Sequence, residues 1–161
     1  MIDTQLFKAI EDRVGYTRVT AVLNPFSGYG QVPKAILEAA QDRGTRTHDA
    51  IEAYLAGFEN APIAEDIKGY VNSFKEWWIT DEYPHGRHVV ATEKRLYDDR
   101  LMITGKFDLI YRDSEGQHVL VDFKTSAKVN PIWQAQGSAY VNLALTNGYD
   151  ISRVFEFVKL D

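Results

Sequence analysis

Between Pro33 and Ile79 apolar residues recur at spacings of three and four, whereas beyond Arg87 they alternate with polar ones. The chain thus changes from helical to extended patterning. Ala35, Ile36, Ala39 and Ala40 share one face of a first helix that Pro33 opens and Gly44 closes. A second helix over 45–58 aligns Ile51, Leu55 and Phe58, and a third over 64–79 carries Ile67, Tyr70, Val71, Phe74, Trp77 and Trp78 at core spacing. Strands are expected at 88–97, 101–111 and 118–124, separated by the turn signals Tyr97-Asp98-Asp99 and Asp113-Ser114-Glu115-Gly116. Asn130 and Pro131 open a fourth helix ending near Asn147 and Gly148, and 151–158 is a final strand. The segment 24–30, with Pro25, Gly28 and Gly30 among aromatic residues, reads as an irregular loop. This order of helices, antiparallel strands, helix and strand predicts an α/β fold. Neither a repeat nor a linker divides 1–161, so a single domain is expected.

Composition narrows the chemistry. The 161 residues are 45% hydrophobic and 25% charged, as in ordinary globular proteins. Lys plus Arg number 18 against 23 acidic residues, a net charge of -5, which excludes a uniformly basic nucleic-acid sleeve but leaves room for a local basic patch. Cysteine is absent, so disulfides, thiolate zinc sites, iron–sulfur clusters and a cysteine nucleophile are all excluded. A metal would have to sit on oxygen or imidazole ligands. No apolar run approaches the roughly 18 residues of a membrane span, and acidic residues stand near the start where a signal peptide is basic and then apolar. An intracellular, cytoplasmic location without membrane contact is the expectation.

The strand at 118–124 places Leu120, Asp122 and Lys124 on one face and Val119, Val121 and Phe123 on the other. In the preceding strand Ile103, Phe107 and Leu109 are expected to face away from Asp108. If the turn between them is centred on Glu115, Asp108 and Asp122 become cross-strand neighbours. Two carboxylates with Cβ atoms roughly 5 Å apart destabilise a sheet unless positive charge lies between them. Mg²⁺ or Mn²⁺ would supply it and leave positions for phosphate oxygens, while Lys124 could hold or help deprotonate an attacking water. The plainer alternative is an Asp122–Lys124 ion pair on an edge strand with Asp108 solvated. Gln136 falls inside the apolar stripe of the fourth helix, one turn from Tyr140, and either reaches toward that site or bonds to backbone. His48 and Glu52, one turn apart, are candidate ligands, or else a structural histidine and a solvated helix charge.

In order and spacing these residues resemble the PD-(D/E)XK nuclease superfamily, specifically the RecB-like branch that includes phage and mitochondrial genome-maintenance exonucleases. Gly44-x-x-x-His48 with Glu52 resembles its helical histidine motif, Gly105-x-x-Asp108 its first acidic motif, Asp122-x-Lys124 its D/E-x-K, and Gln136-x-x-x-Tyr140 its Q-x-x-x-Y. Val19 to Leu23 is similar to a segment ahead of the histidine motif, with Arg18 where serine is usual. The resemblance covers about residues 16 to 146. It implies a restriction-endonuclease-like fold, a central mixed sheet flanked by helices with an antiparallel hairpin carrying the acidic residues.

The same resemblance implies one or two Mg²⁺ or Mn²⁺ ions held by Asp108, Asp122, the Phe123 backbone carbonyl and His48, with Glu52 and Glu93 as further candidates. Lys124 would orient the nucleophile, and Gln136 and Tyr140 would support the site or hold the strand. The implied activity is hydrolysis of DNA, favouring an exonuclease on ends or single strands in phage or bacterial recombination, repair or genome processing. The corresponding setting is a bacterial or phage-infected cytoplasm. Alternatives are an inactive nucleic-acid-binding or scaffold module and a structure-specific endonuclease. The iron–sulfur cluster of some relatives is ruled out by the lack of cysteine. Lys34, Arg43, Arg46, Arg87, Lys94 and Arg95 are candidate phosphate contacts, each also explicable as solvated surface charge. Trp77 and Trp78 read as core, Tyr83 as a possible stacking platform, and Phe26 and Tyr29 as a lip over the site.

Overall fold

In the computed structural model, residues 15–79 and 86–161 are described, with backbone alone at 152–154. Tyr83 lies outside the described residues. A short strand β1 (Thr17–Arg18) leads into helix α1 (Val19–Leu23), and two 3₁₀ turns (Asn24–Phe26 and Tyr29–Gln31) precede the long α2 (Lys34–Leu55). A 3₁₀ turn (Glu65–Ile67) then enters α3 (Lys68–Ile79). The strands β2 (His88–Thr92), β3 (Arg95–Asp98), β4 (Ile103–Lys106), β5 (Leu109–Arg112) and β6 (His118–Lys124) follow, then α4 (Ile132–Thr146) and β7 (Ile151–Lys159). Among the described residues no helix is long and apolar enough to cross a membrane.

Gly44 does not end a helix. The two expected helices are one, because a single interior glycine opposes helix by only about 1 kcal/mol and packing of the face carrying Thr47 and Ile51 outweighs it. The two long strands are likewise each divided. β2 pairs with β5 and β3 with β4, both antiparallel, with Thr92 opposite Leu109 and Arg95 opposite Lys106. The same register continues across the gap, where Glu93 N–H donates to the Asp108 carbonyl at 2.9 Å and Phe107 N–H to the Lys94 carbonyl at 3.3 Å. β2–β3 and β4–β5 are therefore one bent hairpin whose two halves belong to different sheets. One half joins the sheet β1-β4-β3, the other the sheet β2-β5-β6-β7. β1 is parallel to β4 and β7 is parallel to β6, so both sheets are mixed.

The bend also changes which way side chains face. Phe107 packs with Leu96, Ile110, Leu120 and Leu143, whereas Leu109 packs with Tyr111, Val119, Val121 and Phe123 on the opposite side of the four-stranded sheet. The expectation that Phe107 and Leu109 share a face is thus corrected, since strict alternation fails where the strand kinks between them. β6 obeys alternation, with Leu120 on the α4 side and Val119, Val121 and Phe123 on the α2–α3 side. Trp77 and Trp78 pack around Phe74 and Tyr111 in that second core. Helices on both faces of the sheet give a restriction-endonuclease-like α/β architecture.

Gly105 sets how closely β4 approaches α4. A Cβ there would stand 2.6 Å from Tyr140 Cε1 and 2.9 Å from Leu143 Cδ1. Gly105→Ala should therefore destabilise the fold by about 1–3 kcal/mol through overpacking, read as a lower midpoint in denaturant melts. An unchanged midpoint would show that α4 can shift freely.

Candidate metal and nucleic-acid site

The bend in the hairpin is where the acidic side chains converge. Glu93 adopts φ 48°, a left-handed conformation that costs a non-glycine residue about 1–2 kcal/mol, in the short break between β2 and β3. Asp108 occupies the facing break, one step beyond the Leu109–Val121 pair of β5 and β6. Continuing that register puts Asp108 across from Asp122, and the turn is centred on Glu115 as its spacing predicts. Asp108 Oδ2 accepts the Phe123 N–H at 2.6 Å, which pins its carboxylate against β6.

From α2, His48 reaches the same point. Its Nδ1 lies 3.2 Å from Asp108 Oδ1 and 3.7 Å from Glu93 Oε1, and its Nε2 is 3.1 Å from the Phe123 carbonyl oxygen. Ligand atoms of His48, Glu93 and Asp108 all lie within 4.8 Å of one another. Glu52, one turn further along α2, is outside this group. Asp122 is beside it but turned elsewhere, with Oδ2 2.5 Å from Lys124 Nζ and Oδ1 accepting from Gln136 Nε2 at 3.3 Å. Gln136 completes a chain, accepting from Lys124 Nζ at 2.9 Å and lying 3.1 Å from the Tyr140 hydroxyl through its Nε2. The buried amide is thereby satisfied by side chains of the site rather than by backbone.

Electrostatics follow from this crowding. Burial opposes the His48 imidazolium, yet the carboxylates of Asp108, Glu93 and Asp122 prevail and hold its pKa up at about 9. Burial and then Asp108 push the Glu93 carboxyl up against the pull of Lys106 and His48. Asp122 is raised by the same two causes against Lys124 and His48. Tyr140 is held protonated by burial and by Asp122. Three carboxylates thus share a poorly solvated corner with Lys106, Lys124 and a His48 proton as counter-charges. Hard carboxylate oxygens and one imidazole suit a divalent cation, and His48, Glu93 and Asp108 are the residues that could hold it.

In chelator-treated protein the His48 proton does the neutralising. Because its pKa in the folded state exceeds the unfolded value of about 6.5, its contribution to stability is complete below about pH 6.5 and is lost as pH rises through about 9. Melts in chelator across this range should show falling stability that His48→Gln flattens. Equal slopes in the two proteins would contradict the assignment.

The cations expected along the DNA path are variously engaged. Arg46 forms a two-pronged pair with Asp66 at 2.6 and 2.9 Å and also bonds Asp42, so its fork is already occupied. Lys34 pairs with Glu38 at 3.4 Å on the exposed face of α2. Arg87 stacks over Trp77 at 4.1 Å and bonds its carbonyl, bracing the second core. Lys94 lies over Tyr149 at 5.4 Å, Arg43 over Tyr70 at 5.7 Å, and Arg95 on β3 exerts its charge on Tyr140. Lys106, which no motif singled out, forms an ion pair with Glu93 beside the metal group and is 43% exposed. Its signal in the sequence was only its place between Gly105 and Asp108.

Residues 65–154 match the family model of the PD-(D/E)XK nuclease superfamily, a span that includes Glu93, Asp108, Asp122, Lys124, Gln136 and Tyr140 but not His48. No curated protein matches the chain. With the matched segment covering more than half of its length, and the acidic pair and lysine carried on the bent hairpin and its neighbouring strand, the chain belongs to the PD-(D/E)XK nuclease superfamily.

Proposed function

We propose that this protein is a Mg²⁺- or Mn²⁺-dependent deoxyribonuclease of the RecB-like branch, an exonuclease acting on DNA ends or single strands in phage or bacterial recombination, repair or genome processing. The observation that carries the proposal is the convergence of His48, Glu93 and Asp108 within 4.8 Å, directly beside the Asp122–Lys124 pair. His48 lies outside the family match, and its arrival at the acidic group from α2 is what favours the branch with a helical histidine.

A divalent cation held there would polarise a phosphoryl group and make a water more acidic. The chain's own residues supply the rest. Asp108 is fixed by the Phe123 N–H and fixes His48 in turn. Lys124, half-sequestered between Asp122 and Gln136, presents a fixed ammonium that can orient a water and offset charge building on the phosphorus oxygens. Gln136 and Tyr140 hold Lys124 and Asp122 in register rather than meeting the phosphate themselves. Asp122 has its oxygens on Lys124 and Gln136, and serves as a further cation ligand if that pairing opens.

The experiment is degradation of end-labelled single- and double-stranded DNA by purified protein in Mg²⁺ or Mn²⁺, with chelator and Asp122→Asn as controls, alongside circular and end-blocked substrates. Metal-dependent loss of linear DNA with circles spared is expected. Cleavage of circles would replace exonuclease by endonuclease, and binding without cleavage in either metal would replace the enzyme by an inactive DNA-binding module.

A further inference from the structure

A cavity of about 450 Å³ beside the site lies between the α1 segment with its 3₁₀ turns, α2, the loop after β6 and the start of α4. Lys124 and Gln136 belong both to its wall and to the network around Asp122, so the cavity opens directly onto the reacting centre. In a chain with 23 acidic residues and a net charge of -5, its lining contains not one Asp or Glu, while Lys124 and Arg43 contribute cations. Tyr29 and Trp133 supply aromatic surface, and Asn24, Gln41 and Ser126 supply neutral hydrogen-bonding groups. Asn130 ties the two loops that frame it, donating to the Ser27 carbonyl at 2.9 Å. An apolar, aromatic cavity of this size with a few amides and hydroxyls matches the chemistry of a nucleoside, and its positive edge matches the adjoining phosphate.

We propose that this cavity receives one unpaired nucleoside of the DNA strand, the one attached to the phosphate that meets Lys124. The inference rests on the proposed function for the identity of the polymer and adds where a base goes. A base seated there is out of any duplex stack, so the strand must be single or frayed at that position. The walls carry no carboxylate that would repel the adjoining phosphate.

The test measures binding of a dodecamer oligonucleotide in Ca²⁺ by fluorescence anisotropy, with one abasic position moved along the strand, and uses two variants outside the metal group. Ala40→Phe fills the cavity from α2, and Tyr29→Ala removes an aromatic wall from the loop. Loss of one stacked base should weaken binding by wild type about tenfold at a single position. Each variant should bind the intact strand about tenfold more weakly and lose its response to the abasic site, while annealing the complement should weaken binding by wild type. Variants that melt like wild type and bind like it, or an abasic scan without effect, overturn the cavity assignment whatever the cleavage result. A position-specific loss with no cleavage in Mg²⁺ or Mn²⁺ keeps the nucleoside site and removes the nuclease proposal.

Discussion

Asp108→Asn should lower the rate of DNA cleavage by at least about 10³-fold while leaving the melting temperature nearly unchanged. Asp108 is the central member of three carboxylates, opposite Glu93 in the bent hairpin and, by continuation of the β5–β6 register, across from Asp122 on β6. It also leads the carboxylates that raise His48. The amide keeps an oxygen for the Phe123 N–H, so the main structural bond at 2.6 Å has a substitute. Removing the charge relieves the repulsion that lifts Glu93 and Asp122, which offsets the loss of the His48 contact. The chemistry has no such compensation, because a neutral amide is a poor ligand for a hard cation. Single-turnover rates in Mg²⁺ with parallel melts separate the two effects, and retention of more than about a tenth of wild-type rate would remove Asp108 from the reaction. A fall in the His48 pKa, followed by NMR in chelator, should accompany the substitution.

How much of this site the sequence discloses depends on whether a feature leaves a local pattern. The strand His118–Lys124 and the turn centred on Glu115 follow from alternation and a short polar connection, and both occur in the structure at the positions expected. Gln136 stands out because a polar residue inside an apolar stripe must find partners, and it finds Lys124, Asp122 and Tyr140. The bend at Glu93 and Asp108 leaves no such trace. Pairing register is preserved through it, so each strand still looks continuous in one dimension, and only the third dimension reveals the left-handed Glu93 and the reversal between Phe107 and Leu109. Gly44 misleads for the opposite reason, a strong local signal overridden by packing along a 22-residue helix. The pairing of Arg46 with Asp66 joins residues on separate elements, and no spacing rule anticipates it.

Lys124→Met should destabilise the metal-free protein by about 3–5 kcal/mol and abolish cleavage, although methionine retains most of the lysine stem. Lys124 Nζ is 2.5 Å from Asp122 Oδ2 and 2.9 Å from Gln136 Oε1, and its side chain is only 16% exposed. The methionine loses the ammonium paired with Asp122 but still packs near Trp133 and Phe157, over whose rings the ammonium now sits at 5.5 and 5.8 Å. The deficit should therefore come from a buried carboxylate without a counter-charge, not from lost packing. Its dependence on pH identifies the source. Without Lys124 the Asp122 carboxyl, already raised by burial and Asp108, rises further. An acid whose folded pKa exceeds its unfolded value of about 3.9 contributes most stability when protonated, so the deficit should be small near pH 4 and grow as pH climbs through the folded pKa. Asp122→Asn placed on Lys124→Met removes the orphaned charge and should recover much of the lost stability without restoring activity, a coupling that a double-mutant cycle measures directly. If the double variant is no more stable than Lys124→Met alone, the pair does not carry the energy assigned to it, and the lysine acts through its packing.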